Sequence, residues 1–364
     1  MRPTYFTALL AALLSVASAV VSLRGAEQAV SRPAQLPFLN WERLPSIPDY
    51  EGFAGMFAGV SGDSLLIAGG ANFPGKRQFE GGVKTWYDAV YALPAPNGEW
   101  KAIGKLPRLN GYGVSVNALG GVIIAGGGDA RIHFTDVFLL TWNGRDLATR
   151  PLPSLPRPCA FTSGALVGHV LYVACGIETP DATEALNNFW ALDLTALDAG
   201  WRVLPPCPGP TRMLPVAAAV GDTFYLFSGV GLHAGSDGKR VRTFLKDAYS
   251  YTAKAGWRRL ADLPAVAAAA PSPAPVTADG QPLVLSGDNG TLIHLDGPHH
   301  PGFQQTAFAY RPAENRWIKV GTTPFSRATV PTTYWRNQWI IPCGERIPGY
   351  RTPDVWSLDF AVPR

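Results

Sequence analysis

Asp63-Ser64-Leu65-Leu66-Ile67-Ala68-Gly69-Gly70 ends a hydrophobic run on a glycine pair, and the chain returns to that ending again and again. The later versions are Ala125-Gly126-Gly127, Ala174-Cys175-Gly176, Phe227-Ser228-Gly229, Leu285-Ser286-Gly287 and Pro342-Cys343-Gly344. After each ending an Asp, Asn or Thr opens a second run, and a strand led by Trp usually follows. Self-similarity at a period of roughly 50 residues is the signature of a β-propeller. A propeller gathers the loops of all its blades around one axial mouth, so the repeat also says where chemistry would sit.

Each repeat reads as four strands. In the first, 53–60 is the inner strand, 64–68 the second, 85–93 the third and 100–106 the outer. The third strands align on Asp88, Asp136, Asn188, Asp247, Thr306 and Asp354. The outer strands begin at Trp100, near Leu147, and at Trp201, Trp257 and Trp317. The last repeat stops at Phe360 without an outer strand. Asn40-Trp41-Glu42-Arg43-Leu44-Pro45 has the outer-strand signature with no repeat before it. The expectation is an all-β, six-bladed kelch-type propeller over 36–364, its ring closed by the N-terminal strand. Closure removes two open sheet edges that would otherwise template aggregation. A chain of 364 residues would by length alone suggest two or three domains; the repeat overrides that prior.

The formal charge of +4 is too mild for a nucleic-acid partner. Residues 6–23 form an apolar stretch behind Arg2, and Ala17-Ser18-Ala19 or Gly25-Ala26 offers a small-residue cleavage site. This reads as a secretory signal over 1–26, cleaved near 19 or 26. It predicts a periplasmic or secreted protein with no stable membrane association after cleavage; an uncleaved anchor is the alternative. The cysteines Cys159, Cys175, Cys207 and Cys343 show no zinc spacing, and no motif for a metal or organic cofactor is present. Cys159 and Cys175 flank a turn at Gly168. They are expected as two small buried hydrophobes, with a disulfide as the alternative.

The second-to-third-strand loops are 71–84, 128–132, 177–186, 230–244, 288–304 and 345–352, and they share a face with the inter-blade linkers. In a closed ring the last adjoins the first. Together these two loops offer the Glu345 carboxylate, the Arg351 and Arg77 guanidinium groups and the Asn72 amide. Arg327 and Arg212 lie on linkers of the same face. His233, His299 and His300 sit in long loops and carry no assigned role, and Lys84 and Trp86 read as structural. Glu345 could equally tie two loops together through a neighbouring arginine.

Phe53-Ala54-Gly55-Met56-Phe57-Ala58-Gly59-Val60, Gly69-Gly70-Ala71-Asn72-Phe73-Pro74-Gly75, Gly111-Tyr112-Gly113-Val114-Ser115 and the Gly344-Glu345-x-x-Pro348-Gly349-x-Arg351-Thr352 loop carry a resemblance. The chain resembles the N-acetylneuraminate epimerase (sialic acid mutarotase) family of kelch propellers, with the blade order cyclically permuted and the first loop shortened. The resemblance implies Glu345 as general base and Arg351 as a substrate-binding partner, with Arg77, Asn72, Arg327 and Arg212 as further candidates. It implies a small sugar acid as substrate and no cofactor. The chemistry is consistent: anomers of a cyclic hemiketal interconvert by proton transfer and ring opening, which a placed carboxylate accelerates. An arginine fork suits a sugar carboxylate. A second class of function is a non-catalytic propeller that binds a glycan or a protein partner. A copper-radical oxidase is disfavoured, because no cysteine context or histidine pair stands out.

Overall fold

The computed structural model describes residues 38–295 and 297–361. The leader expected over 1–26 lies outside the described residues. Four-stranded antiparallel sheets form blades one to four: Phe57–Ser61, Ser64–Ala68, Ala89–Leu93 and Lys101–Lys105 in blade one, through to Val216–Val220, Thr223–Phe227, Ala248–Thr252 and Gly256–Arg259 in blade four. In blade six, Thr333–Trp335, Gln338–Pro342 and Val355–Ala361 take Phe38–Leu44 as their outer strand. That pairing runs from Phe38 opposite Ala361 to Leu44 opposite Val355. The predicted closure is therefore the observed one.

Blade five departs from the four-strand expectation. Its sheet holds Leu283–Leu285, Thr306–Arg311 and Arg316–Thr322. The inner position is filled by 272–276, which makes only the isolated bridges Ser272–Pro331 and Val276–Pro282. Pro273 and Pro275 carry no N–H, so a regular ladder cannot form there. The first predicted third strand is also split, into Thr85–Trp86 and Ala89–Leu93.

The core lies between blades. Leu65, Ile67 and Leu93 of blade one meet Trp335, Ile340 and Val355 of blade six, and similar apolar wedges fill the other inter-blade spaces. A recurring Trp of the outer strands clamps the wedges behind blades one, three, four and five from outside. The indole N–H of Trp100 donates to Pro45 O at 2.8 Å, Trp201 to Pro153 O at 2.7 Å, and Trp257 to Pro205 O at 2.9 Å. Each acceptor lies just past the outer strand of the preceding blade. An amphipathic indole suits this, because its apolar body is covered while its one donor is satisfied.

The repeated run-ending has a backbone cause. Gly69, Gly126, Cys175, Ser228, Ser286 and Cys343 are all left-handed, with φ from 51° to 66°. The glycine that follows each has φ between 89° and 113°. At Gly69 a Cβ would meet Asn110 O at 2.4 Å, so glycine is required there by contact as well as by φ. At Cys175, Ser228, Ser286 and Cys343 a side chain accepts the left-handed state, at roughly 1–2 kcal/mol each. All four cysteines are free and buried, and the Cys159 thiol donates to Cys175 O at 3.1 Å. Burial pushes the Cys159 and Cys343 thiols up to about 12. They behave as the small hydrophobes expected.

The aspartates that head the third strands are staples. Asp247 receives both terminal nitrogens of Arg212 at 2.7 Å, and Arg212 also donates to Ser228 O at 3.0 Å. Arg212 is 0% exposed. Removing one partner of such a pair strands the other charge. Arg212→Met should therefore destabilise the protein by about 3–5 kcal/mol in urea unfolding. A loss below about 1 kcal/mol would show that the pair contributes little.

Candidate functional site

One ring of backbone hydrogen bonds circles the propeller axis. Tyr112 N donates to Gly55 O at 2.7 Å, Phe161 N to Tyr112 O at 2.7 Å, and Leu214 N to Phe161 O at 2.7 Å. Ala269 N then donates to Leu214 O at 2.9 Å, Thr329 N to Ala269 O at 2.7 Å, and Gly55 N to Thr329 O at 2.9 Å, which closes the belt. Each blade contributes one residue, and every one has φ between 53° and 65°. Gly55 is the member without a side chain, and a Cβ there would meet the Tyr112 ring at 2.5 Å.

Above the belt opens a cavity of about 580 Å³, whose lining includes Tyr112, Phe161, Leu214, Ala269 and Thr329. That volume suits a small ligand. Four cations (Lys84, Arg240, Arg242, Arg351) face it against two carboxylates (Asp288, Glu345).

The two carboxylates hold equivalent places. In every blade the residue before the belt residue bridges the residue after the glycine pair: Ala54 with Ala71, Gly111 with Gly128, Ala160 with Ile177, Met213 with Val230, Ala268 with Asp288, and Ala328 with Glu345. An acid stands there only in blades five and six, which are ring neighbours. Both are fixed by paired backbone bonds, Asp288 to Ala268 and Glu345 to Ala328.

Glu345 begins a short hairpin of Glu345–Ile347 and Tyr350–Arg351, turned at Pro348-Gly349. Gly349 has φ 82°, which the turn demands. Glu345 and Arg351 are register partners, so their side chains share a face. Arg351 Nη1 donates to Glu345 Oε1 at 2.5 Å, and Gly349 N donates to the same oxygen at 2.8 Å. Oε2 has no hydrogen-bond partner among the described residues. The Arg351 side chain is 4% exposed and packs over the Phe73 ring. Burial alone would lower its pKa, but the Glu345 charge and the Tyr112 hydroxyl more than offset that and raise it.

Asp288 Oδ1 accepts from Gly290 N at 2.8 Å. Burial pushes its carboxyl above the ordinary range. The Gly290 N–H, His300 and Arg242 pull the other way, and the Glu345 charge adds to the rise. His300, itself buried, lines the cavity and accepts from Gly302 N at 3.1 Å through Nδ1. A backbone donor on Nδ1 leaves the proton of the neutral ring on Nε2.

The structure brings Glu345 and Arg351 to the cavity and places the other candidates elsewhere. Asn72 is 1% exposed; it donates to Gly52 O at 3.0 Å and accepts from the Tyr87 hydroxyl at 2.8 Å. Arg77 pairs with Glu51 and lies over the Tyr350 ring. Arg212 and Arg327 stand two residues before a belt residue, where a side chain runs outward between elements of the blade instead of toward the axis. Arg327 faces Asp354 at 3.5 Å, and burial pushes its guanidinium down to about 10 against that attraction. Lys84, expected to be structural, instead lines the cavity, with Trp86 packed against it. Asp288 is not among the residues singled out from the sequence, although the position after the glycine pair, compared across repeats, carries an acid only in the last two.

The N-acetylneuraminate epimerase family (NANM) matches residues 23–149 and 152–294. The chain belongs to that family. A curated N-acetylneuraminate epimerase of Brucella suis is 38% identical over 128 residues, 30% of this chain and 32% of the relative. That of Salmonella arizonae is 41% identical over 109 residues, 27% of this chain and 28% of the relative. The chain thus spans about a third of the length of the curated relatives it matches. The solved structure of YjhT superposes with a TM-score of 0.62 at 15% identity, over 86% of this chain and 95% of that one, and shares the fold. Glu345 and Arg351 lie beyond the family-matched residues, whereas Lys84 and Asp288 lie within them.

Asp288 yields a stability prediction. Its folded pKa is raised, so between the ordinary value and the raised one the folded state binds more protons than the unfolded state. Stability therefore falls as pH rises through that window, and the charged carboxylate remains a cost at neutral pH. Asp288→Asn keeps an acceptor for Gly290 N and removes the charge. Thermal melts should show it more stable than the parent at pH 7, with the gap closing as pH falls through the carboxylate range. A variant that is less stable at pH 7 would contradict this.

Proposed function

We propose that this protein is a mutarotase that interconverts the anomers of N-acetylneuraminate or a related sugar acid. The observation that carries the reading is the placement of Glu345 and Asp288, at equivalent positions of neighbouring blades, on the wall of one cation-rich cavity. Membership of the N-acetylneuraminate epimerase family supports it.

Ring opening of a hemiketal needs a proton removed at the anomeric hydroxyl and a proton supplied at the ring oxygen. Arg351 and Gly349 N–H occupy Oε1 of Glu345 and fix its plane, leaving Oε2 to take the hydroxyl proton. Asp288, whose carboxyl burial raises above the ordinary range, gives a proton to the ring oxygen in the fraction of molecules in which it is protonated. The bond between the anomeric carbon and the ring oxygen breaks, and the anomeric oxygen becomes a ketone. Rotation presents the other face. The ring hydroxyl then attacks, returning its proton to Asp288 while Glu345 returns one to the carbonyl oxygen. Both residues end as they began, as an isomerisation requires. The apolar leader supports export, which would place the reaction in the periplasm or outside the cell.

Proton NMR of freshly generated α-N-acetylneuraminate tests the assignment. The protein should speed the approach to the β anomer, and Glu345→Gln or Asp288→Asn should each lower kcat by about 10²- to 10⁴-fold. Saturable binding without acceleration would instead establish a glycan-binding propeller. Acceleration unchanged in Glu345→Gln would remove Glu345 as the base.

A further inference from the structure

Lys84 is held by aromatic rings. Its ammonium lies 4.0 Å from the Tyr112 ring centroid, 4.7 Å from that of Trp86 and 5.7 Å from that of Phe161. No carboxylate partners it among the described residues. Two of these rings belong to the axial belt, and their left-handed backbones set them at the cavity floor. Tyr112 and Phe161 stack on each other with centroids 4.5 Å apart, so the platform beneath the ammonium is rigid. Ring faces stabilise a cation but supply no acceptor for its N–H donors. An ammonium held this way, half-buried at a cavity wall, leaves its N–H donors available to an anion.

The other cavity cations are less suited to that task. Arg351 is already committed to Glu345 and is only 4% exposed at the cavity wall. Arg240 donates to Pro180 O at 3.0 Å, and it and Arg242 stand exposed on the rim ribbon formed by Val230–Ala234 and Arg240–Phe244. Rim charges in water contribute to steering more than to a fixed contact. A sugar acid bears its carboxylate on the anomeric carbon, so whatever holds the carboxylate also sets which oxygens face Glu345 and Asp288.

We propose that Lys84, on its platform of Trp86, Tyr112 and Phe161, is the seat of the substrate carboxylate. This rests on the sugar-acid reading above, and it separates two tasks: Lys84 binds the acid group, while Arg351 orients Glu345.

Calorimetric titration of N-acetylneuraminate and its methyl ester into the wild type, Lys84→Met and Lys84→Arg tests the proposal, with thermal melts verifying each fold. The wild type should bind the acid more tightly than the ester. Lys84→Met should weaken the acid by about 10- to 100-fold, the range of a charge-assisted contact, and the ester by less than about 3-fold, so that the preference disappears. Lys84→Arg should retain it. A preference that survives in Lys84→Met, an equal loss for acid and ester, or a wild type that binds neither selectively would overturn the assignment. Because the readout is binding, it stands apart from turnover. Acid-selective binding through Lys84 without anomer exchange would sink the mutarotase reading and leave the seat intact. Exchange with a Lys84-independent preference would do the reverse.

Discussion

The closed belt of six hydrogen bonds among Gly55, Tyr112, Phe161, Leu214, Ala269 and Thr329 is the constraint on which the rest of the molecule depends. A belt of this kind exists only if every blade delivers one residue, in one conformation, at one radius. All six accept a left-handed backbone to do so, and five of them carry side chains. The strain is recovered because each N–H and C=O near the crowded axis finds a partner where no other would be available. The side chains that the belt turns upward form the floor of the cavity.

Closure at the periphery and closure at the axis are coupled. Phe38–Leu44 completes blade six, which brings the Glu345 hairpin beside blade one, and Gly344 N donates to Phe53 O at 2.7 Å across that junction. The Trp clamps tie neighbouring blades together, and the Asp-headed staples tie each linker to its own blade. Glu345 and Asp288 inherit their separation from this frame, not from the flexible reach of loops. A rigid frame is what proton transfer to two specific oxygens requires.

The charges of the molecule divide by geometry. Arg212 and Arg327 sit where side chains run into blade interiors, and there they pair with Asp247 and Asp354. Lys84, Asp288 and Glu345 sit where side chains reach the axial cavity. Asp288 is held there at a cost in stability, as functional groups in strained or desolvated places often are.

The sequence by itself determined the propeller, its blade count, the closing strand and the loop pair holding Glu345 and Arg351. Those follow from strand periodicity, from glycine pairs that backbone sterics demand, and from an orphan Trp-led strand at the N-terminus. Only the tertiary structure decided which loop residues face the axis. Asn72, Arg77, Arg212 and Arg327 are as polar as Lys84 and Asp288, and spacing along the chain does not tell an outward side chain from an inward one. That distinction is set by the belt, which links each blade to the next and closes from Gly55 to Thr329, and which fixes the direction of each side chain only once the ring has closed.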